Sequence, residues 1–246
     1  MTRSHINGAA PAKGGHSSAP PKETGVETLA KAVLAIAHHP FPLEFKGPGA
    51  DMVRTVAPHA GWTTRMAVAN AWLFGPLLKS QIAQTPAGAA TLHTTIAPTM
   101  LKGSPKENVL PQDATAWINY RIAPGDTVDG VMERARDDVR GLNVQLVWDG
   151  KADNPSPVSA TDSDGWKIIA ALGSEGGKIP VAPNLVTGAT DSHSLIPVSR
   201  NIYRYQPILF ETHDIEMIHG TNEHLTLDNL TRMVSFYERL IATAAS

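Results

Sequence analysis

TAWINYRIAPGDTVDGVMERARDDVRGLNVQLVW, residues 115–148, is the stretch that decides the fold. Alternation of apolar and polar side chains over Thr115–Arg121 predicts a strand with one buried face. The turn residues Pro-Gly-Asp follow, and Thr127 then caps a helix whose apolar side chains repeat at helical spacing. Asn143–Trp148 is again strand-like. A strand, a helix and a second strand in this order form one half of a two-layer sandwich.

Upstream of this stretch, the sequence predicts a further helix and strand. Thr24 and Glu27 match a capping box, which satisfies two backbone donors at the start of a helix. Leu92–Ile96 is rich in β-branched residues and predicts a strand. The order helix, strand, strand, helix, strand is a split β-α-β unit, a ferredoxin-like sandwich without its opening strand. The opening strand would precede Gly14. Residues 1–13 occupy that position, and we expect them to be disordered or a poor substitute for the strand.

The first predicted domain, residues 14–154, is this α+β sandwich. It carries a helical insertion at about 47–90. Apolar residues recur there at helical spacing, so Trp72 and Leu77 are expected to lie on its buried side.

The second predicted domain, residues 155–246, follows a proline-rich linker. It alternates helices with two predicted strands, at 178–185 and 201–206, which indicates an α/β layer. Two or three strands make a thin layer, so this segment is expected to be half of an α/β domain. The fold class of the whole chain is therefore α/β, with an α+β domain first.

Composition excludes several functional classes. The net charge is -2, so electrostatics give no reason to expect a nucleic-acid partner. The chain has no cysteine, so a bound metal would need His, Asp or Glu ligands. No apolar run approaches the roughly 18 residues of a membrane span, and Met1–Lys13 lacks the apolar segment of a signal peptide. We expect a soluble chain, and the sequence does not indicate its compartment.

His16 lies in a glycine-containing turn, Gly14–Pro20. The turn superficially suggests a serine nucleophile, but Ala19 stands where a nucleophile elbow requires its second glycine. We therefore expect the turn to direct His16 outward while the neighbouring serines bond locally. An incidental exposed histidine is the alternative.

Asn108 and Arg121 are candidates for anion binding. Asn108 lies between two predicted strands and Arg121 on the second of them, so they could offer an amide and a guanidinium to one anion. Arginine suits a carboxylate because its planar fork binds both oxygens. A turn-capping role for Asn108 and a surface salt bridge for Arg121 are the alternatives.

Two polar loops follow in the second domain. Asp191 and His193 lie in the loop 188–193, at the expected C-terminal edge of a strand, where open α/β sheets bind ligands. A helix cap by Asp191 is the alternative. His219 could bind a metal through a neutral imidazole nitrogen, with Glu223 supporting it. A single histidine does not make a metal site.

Taken in order, these motifs resemble carboxypeptidase S and its Gly-Xaa carboxypeptidase relatives. Those enzymes belong to the dinuclear-zinc peptidase clan that includes aminoacylase and glutamate carboxypeptidase. The early motifs resemble the dimerisation lid of the family and the late ones the end of its catalytic domain. The motifs are GHSSAPPKET at 15–24, TTIAPTM at 94–100, NVLP at 108–111, NYRIAPGDT at 119–127, GATDS at 188–192 and IHGTNE at 218–223.

The resemblance implies specific roles. His219 would be the last ligand of a pair of zinc ions, and His16 would reach across a lid-mediated homodimer to stabilise the oxyanion in the partner's site. Asn108 and Arg121 would hold the polar end of a small peptide or N-acyl amino acid. His193 stands where relatives carry Arg or Lys for the substrate carboxylate.

The chain departs from the family in its metal site. The H-x-D segment, the bridging Asp and the Glu-Glu pair, which supply most zinc ligands and the general base, are not found in it. We therefore expect the 246-residue chain by itself to bind no zinc usefully and to hydrolyse no amide. The alternatives are a non-catalytic dimerisation or binding module and one half of a split enzyme.

Overall fold

The computed structural model describes residues 2–188, 190–211, 214 and 217–245. Met1 of the 1–13 segment and Ala189 of the 188–193 loop lie outside the described residues. The elements, in chain order, are β1 (Thr2–Pro11), β2 (Gly15–His16), α1 (Gly25–Ala37), α2 (Gly47–Val56), α3 (Trp62–Ala69), α4 (Ala71–Ile82), α5 (Pro86–Ala90), β3 (Thr95–Lys102), β4 (Val109–Leu110), β5 (Asp113–Ile122), α6 (Val128–Asp138), β6 (Gln145–Trp148), α7 (Asp164–Gly173) and α8 (Leu227–Ala244).

Four strands form an antiparallel sheet in the order β3-β5-β1-β6. With α1 and α6 on one face, this is the ferredoxin-like arrangement that the sequence predicts. The first strand, however, is present. β1 pairs with β5 from Thr2↔Ile122 to Pro11↔Asp113, and with β6 through Ile6↔Trp148. The expectation that residues 1–13 are disordered or a poor substitute is therefore wrong for Thr2–Pro11.

The composition of β1 explains why its sequence pattern is weak. Its helix-facing side consists of Ser4, Ile6, Gly8 and Ala10, of which only one is a large apolar residue. The small residues allow close packing: a Cβ on Gly25, at the start of α1, would lie 3.2 Å from the carbonyl oxygen of Ala10. Pairing on both sides stabilises this strand despite its low intrinsic propensity, because sheet context outweighs propensity.

The sandwich core lies between the sheet and the two helices. β5 alternates between buried and half-buried residues along its length, as its sequence predicts. The Thr24 capping box is also confirmed: Glu27 N–H donates to Thr24 Oγ1 (3.2 Å) and Thr24 N–H donates to Glu27 Oε2 (2.6 Å). Burial raises the pKa of the Tyr120 hydroxyl in this core, and the nearby Asp138 carboxylate raises it further.

The insertion at 47–90 consists of α2 to α5 around a small core of its own. Trp72 and Leu77, which the helical pattern places on a buried side, are instead 83% and 54% exposed. Ala57, Val68 and Leu78 form its buried cluster, and Ala50 of α2 is also buried. Periodicity identifies the helices correctly but gives the wrong buried face, because neighbouring helices decide which side is covered.

The C-terminal segment contains α7 and α8, which pack against each other. The predicted strands at 178–185 and 201–206 are wrong, since neither stretch belongs to a sheet in this structure. Backbone groups of the second stretch bond to side-chain oxygen instead: Ile202 N–H donates to Ser159 Oγ at 2.8 Å. A strand requires a neighbouring strand, and the pattern of one segment does not guarantee it.

Within the described residues, no helix is long and apolar enough to cross a membrane.

Candidate functional site

A two-stranded arm carries the first predicted site residue. The pairing of β1 with β5 continues beyond Pro11↔Asp113. Ala12 N–H donates to Gln112 O (2.8 Å), and β2 then pairs with β4. We call residues 12–17 and 108–112 the arm. His16 is paired with Val109, and Ser17 N–H donates to Asn108 O at 3.1 Å. The arm therefore places His16 beside Asn108 at its tip.

The His16 ring has a defined hydrogen-bonding role. Ser18 N–H donates to His16 Nδ1 at 3.2 Å, and Ser18 Oγ lies 2.9 Å from the same nitrogen. A backbone N–H can only donate, so Nδ1 of the neutral ring is an acceptor and the ring proton is on Nε2. The side chain is exposed, and none of the described residues bonds to Nε2. His16 thus presents one N–H donor outward.

Arg121 lies elsewhere. It is near the opposite end of β5 from the arm, paired with Arg3 of β1 and Thr95 of β3. Eight residues separate it from Asp113, roughly 27 Å along an extended strand. The structure therefore does not bring Arg121 to Asn108 within one chain, and the hypothesis that both contact one anion in a single chain is wrong.

The open face of the sheet near Arg121 is more polar than the sequence pattern alone suggested. Asn119 Nδ2 donates to His5 Nε2 at 2.7 Å, and Trp117 Nε1 donates to Asp149 Oδ2 at 2.8 Å. These pairs join β5 to β1 and to the residue that follows β6. No local sequence pattern predicts these pairs, because the partners are 114 and 32 positions apart.

The loop that contains Asp191 and His193 forms a short 3-10 turn, Asp191–Leu195. Thr190 occupies its cap position, and no side chain makes a capping hydrogen bond, so a cap by Asp191 is not observed. His193 Nε2 lies 3.6 Å from Asp153 Oδ2. A second basic residue also reaches this loop: Arg204 Nε donates to Thr190 Oγ1 (2.9 Å) and to Ser192 Oγ (2.7 Å).

The predicted metal ligand His219 lies in a turn with a φ of 58°. Glu223 Oε2 accepts a hydrogen bond from the His219 backbone N–H at 3.2 Å, so Glu223 contacts the backbone here and not the imidazole. Across the described ranges, no group of three or more His, Asp or Glu side chains is placed to hold a metal ion. These residues do not fit a zinc pair, which needs about four ligands per ion.

The fold and the arm agree with a known protein family. The family model of the peptidase dimerisation domain, from the M20 peptidases, matches residues 4–146. This match covers more than half of the chain and includes most of the sheet, α1, α6 and the arm. The chain belongs to the M20 peptidase dimerisation domain family.

Individual relatives extend the similarity into the C-terminal segment. The chain is 34% identical over 230 residues to an N-fatty-acyl-amino acid synthase/hydrolase of Xenopus tropicalis, covering 92% of this chain and 45% of that protein. It is 29% identical over 235 residues to a probable carboxypeptidase S-like protein of Dictyostelium discoideum, covering 93% and 44%. The chain thus spans about half the length of the relatives it matches.

A solved structure supports the fold. An M20 family metallo-carboxypeptidase from Sulfolobus solfataricus superimposes with a TM-score of 0.52 at 16% identity, covering 79% of this chain and 54% of that one. At this identity the likeness shows a shared fold only.

Proposed function

We propose that this chain forms the dimerisation lid and the end of the catalytic domain of an M20 family hydrolase that cleaves an amide bond in a small peptide or an N-acyl amino acid. The names of the relatives support this substrate class, since one is called an N-fatty-acyl-amino acid synthase/hydrolase and another a carboxypeptidase S-like protein. Residues 14–154 would be the lid and residues 155–246 the catalytic part, with β1 added to the lid.

The observation that carries the proposal is the outward N–H of His16. Amide hydrolysis places negative charge on the former carbonyl oxygen, and a fixed N–H donor lowers the energy of that charge. The arm holds His16 at its tip, beyond the end of the sheet, and Ser18 fixes the tautomer that makes Nε2 the donor. A residue that extends beyond the sheet in this way is suited to enter the active site of a second copy of the chain.

The neighbouring residues complete the proposed site. Asn108, joined to Ser17 at the arm tip, would hold the polar end of the substrate in the same site as His16. Arg121 would act at a separate position, because it lies near the other end of β5. Homodimer formation through the lid is part of the proposal, since an arm reaching a partner's site has no function in a monomer.

The metal requires residues beyond those described here. A bound zinc pair would polarise the amide carbonyl and activate a water molecule. Of the proposed ligands this chain supplies His219, with Glu223 near its backbone. We assign no step to zinc in the 246-residue chain alone, and we propose that the chain alone is inactive.

A chimera tests the function. The region of the Xenopus tropicalis protein that matches would be replaced by this chain, and hydrolysis of an N-fatty-acyl amino acid measured. We expect zinc-dependent turnover, which His16→Ala lowers by about a hundredfold to a thousandfold in kcat, in the manner of a lost oxyanion donor. His59→Ala, at an exposed position in the helical insertion, is the matched control.

Two outcomes would count against the proposal. One is a folded, dimeric, zinc-loaded chimera without turnover. The other is equal kcat for His16→Ala and His59→Ala. A pure dimerisation module would form a dimer in sedimentation equilibrium of the unmodified chain and would give no turnover in any chimera. That combination of results would favour the non-catalytic alternative.

A further inference from the structure

The loop at Asp191 and His193 is where the family resemblance places recognition of the substrate carboxylate. His193 replaces the usual Arg or Lys there, and its ring is directed to Asp153 at 3.6 Å. Asp153 also pairs with Lys151 through its other oxygen at 3.1 Å. The His193 ring therefore faces Asp153 at the boundary between the two predicted domains, and a residue with a permanent charge would suit a carboxylate at this loop better.

Arg204 supplies a cation to this loop from the extended stretch 201–206. Its two neighbours point elsewhere: the Tyr203 ring lies 5.8 Å from the Trp166 ring, and the Tyr205 ring lies 5.0 Å from that of Phe236. Side chains alternate along an extended backbone, so packing of both tyrosines directs Arg204 to the opposite side, where Thr190 and Ser192 lie.

Within the described residues, the hydrogen bonds of Arg204 use Nε–H and not its two terminal nitrogens. Nε–H is shared between the hydroxyls of Thr190 and Ser192, at 2.9 and 2.7 Å. Among the described residues, no carboxylate or carbonyl bonds to the two terminal nitrogens. These nitrogens carry four N–H donors in one plane, which is the geometry that binds both oxygens of a carboxylate. The hydroxyls thus orient the guanidinium before a ligand arrives, which reduces the entropy lost on binding.

We infer that Arg204, held by Thr190 and Ser192, is the residue that binds the free carboxylate of the substrate. The ligand class is an N-acyl amino acid or a dipeptide with an unmodified C-terminal carboxylate. The inference rests on the proposed function for the identity of the substrate, and it adds a specificity residue that the loop sequence does not contain.

The test uses the unmodified chain and needs neither zinc nor turnover. N-acetylphenylalanine is titrated into isotope-labelled chain while the Arg Nε–H resonances are followed, and its primary amide serves as the uncharged probe. We expect the acid to shift the Arg204 resonance saturably and to bind about tenfold more tightly than the amide, as a charged hydrogen-bonded pair does.

Variants separate binding from support of the loop. Arg204→Gln should remove the preference for acid over amide, and Arg204→Lys should retain part of it, because lysine keeps the charge but not the fork. Arg140→Gln, at an exposed residue in the turn after α6 that pairs with Asp137, loses the same charge and should bind like the wild type. Equal acid preference in Arg204→Gln and wild type would overturn the inference. So would loss of that preference in His193→Gln alone.

In the chimera, the same residue gives a kinetic signature. Arg204→Gln should raise KM for the acid substrate about tenfold with little change in kcat, because the contact exists before and during the reaction. A fall in kcat with unchanged KM would indicate that Arg204 only supports the loop and would overturn the inference. An inactive chimera would refute the proposed function, while the titration would still decide the role of Arg204.

Discussion

Replacing Ile6 by alanine tests whether β1 is a central strand of the sheet. Ile6 is 0% exposed and packs in the main core between β5 and β6. The substitution removes three carbon atoms, which at about 0.8 kcal/mol per methylene corresponds to about 2.4 kcal/mol of lost burial. A cavity that cannot collapse adds to this, so we expect a loss of about 3–4 kcal/mol in the free energy of unfolding.

Val147→Ala is the control in the adjacent edge strand. Val147 is 57% exposed and pairs with Asn7. Removing two carbons that are less than half buried should cost only about 0.7 kcal/mol. The two variants are compared by urea unfolding, monitored by far-UV circular dichroism. Equal m values would show that a change in midpoint reports a change in stability. A cost for Ile6→Ala below about 1 kcal/mol, or no larger than that of Val147→Ala, would refute the insertion of β1 into the sheet.

Three further predictions concern the helix cap, the buried tyrosine and the metal. Thr24→Ala should cost about 1 kcal/mol in urea unfolding because it removes the cap of α1, and a cost near zero would show that the cap does not contribute. Because burial raises the Tyr120 pKa in the folded chain, the unfolded chain loses this proton first above about pH 10, and stability falls by about 1.4 kcal/mol per pH unit. Tyr120→Phe should remove that part of the fall between about pH 9 and pH 11, and an unchanged slope would show a solvated hydroxyl. The unmodified chain should release no amino acid from N-acyl amino acids in a zinc-supplemented assay, and turnover that EDTA abolishes would contradict this.

Local signals predict much of the dimerisation domain. The alternation along β5 and the Thr24 capping box both act over a few residues, and both are present in the structure. The pattern of β1 is weak because its buried side has one large apolar residue, Ile6, among small ones, so pairing with two neighbouring strands decides its stability. The strand predictions for 178–185 and 201–206 are the opposite error: each stretch has a strand-like pattern, but neither belongs to a sheet.

The site depended still more on contacts between distant parts of the chain. His16 and Asn108 are ninety-two positions apart, and only the register of β1 with β5 places them together at the arm tip. The extended course of β5 separates Arg121 from Asn108, although the two are close in sequence. Arg204 reaches the loop of Ser192 from twelve positions further along, which no motif in the loop itself indicates.

Complementation between two inactive variants of the chimera tests most directly whether His16 serves the partner's site. His16→Ala subunits keep His219, the proposed metal ligand, and His219→Ala subunits keep His16 of the arm. Each variant alone should be nearly inactive, but random mixing makes about half of the dimers mixed, each with one complete site, so about a quarter of the wild-type kcat should return. No recovery on mixing, with mixed dimers demonstrated, would contradict the account.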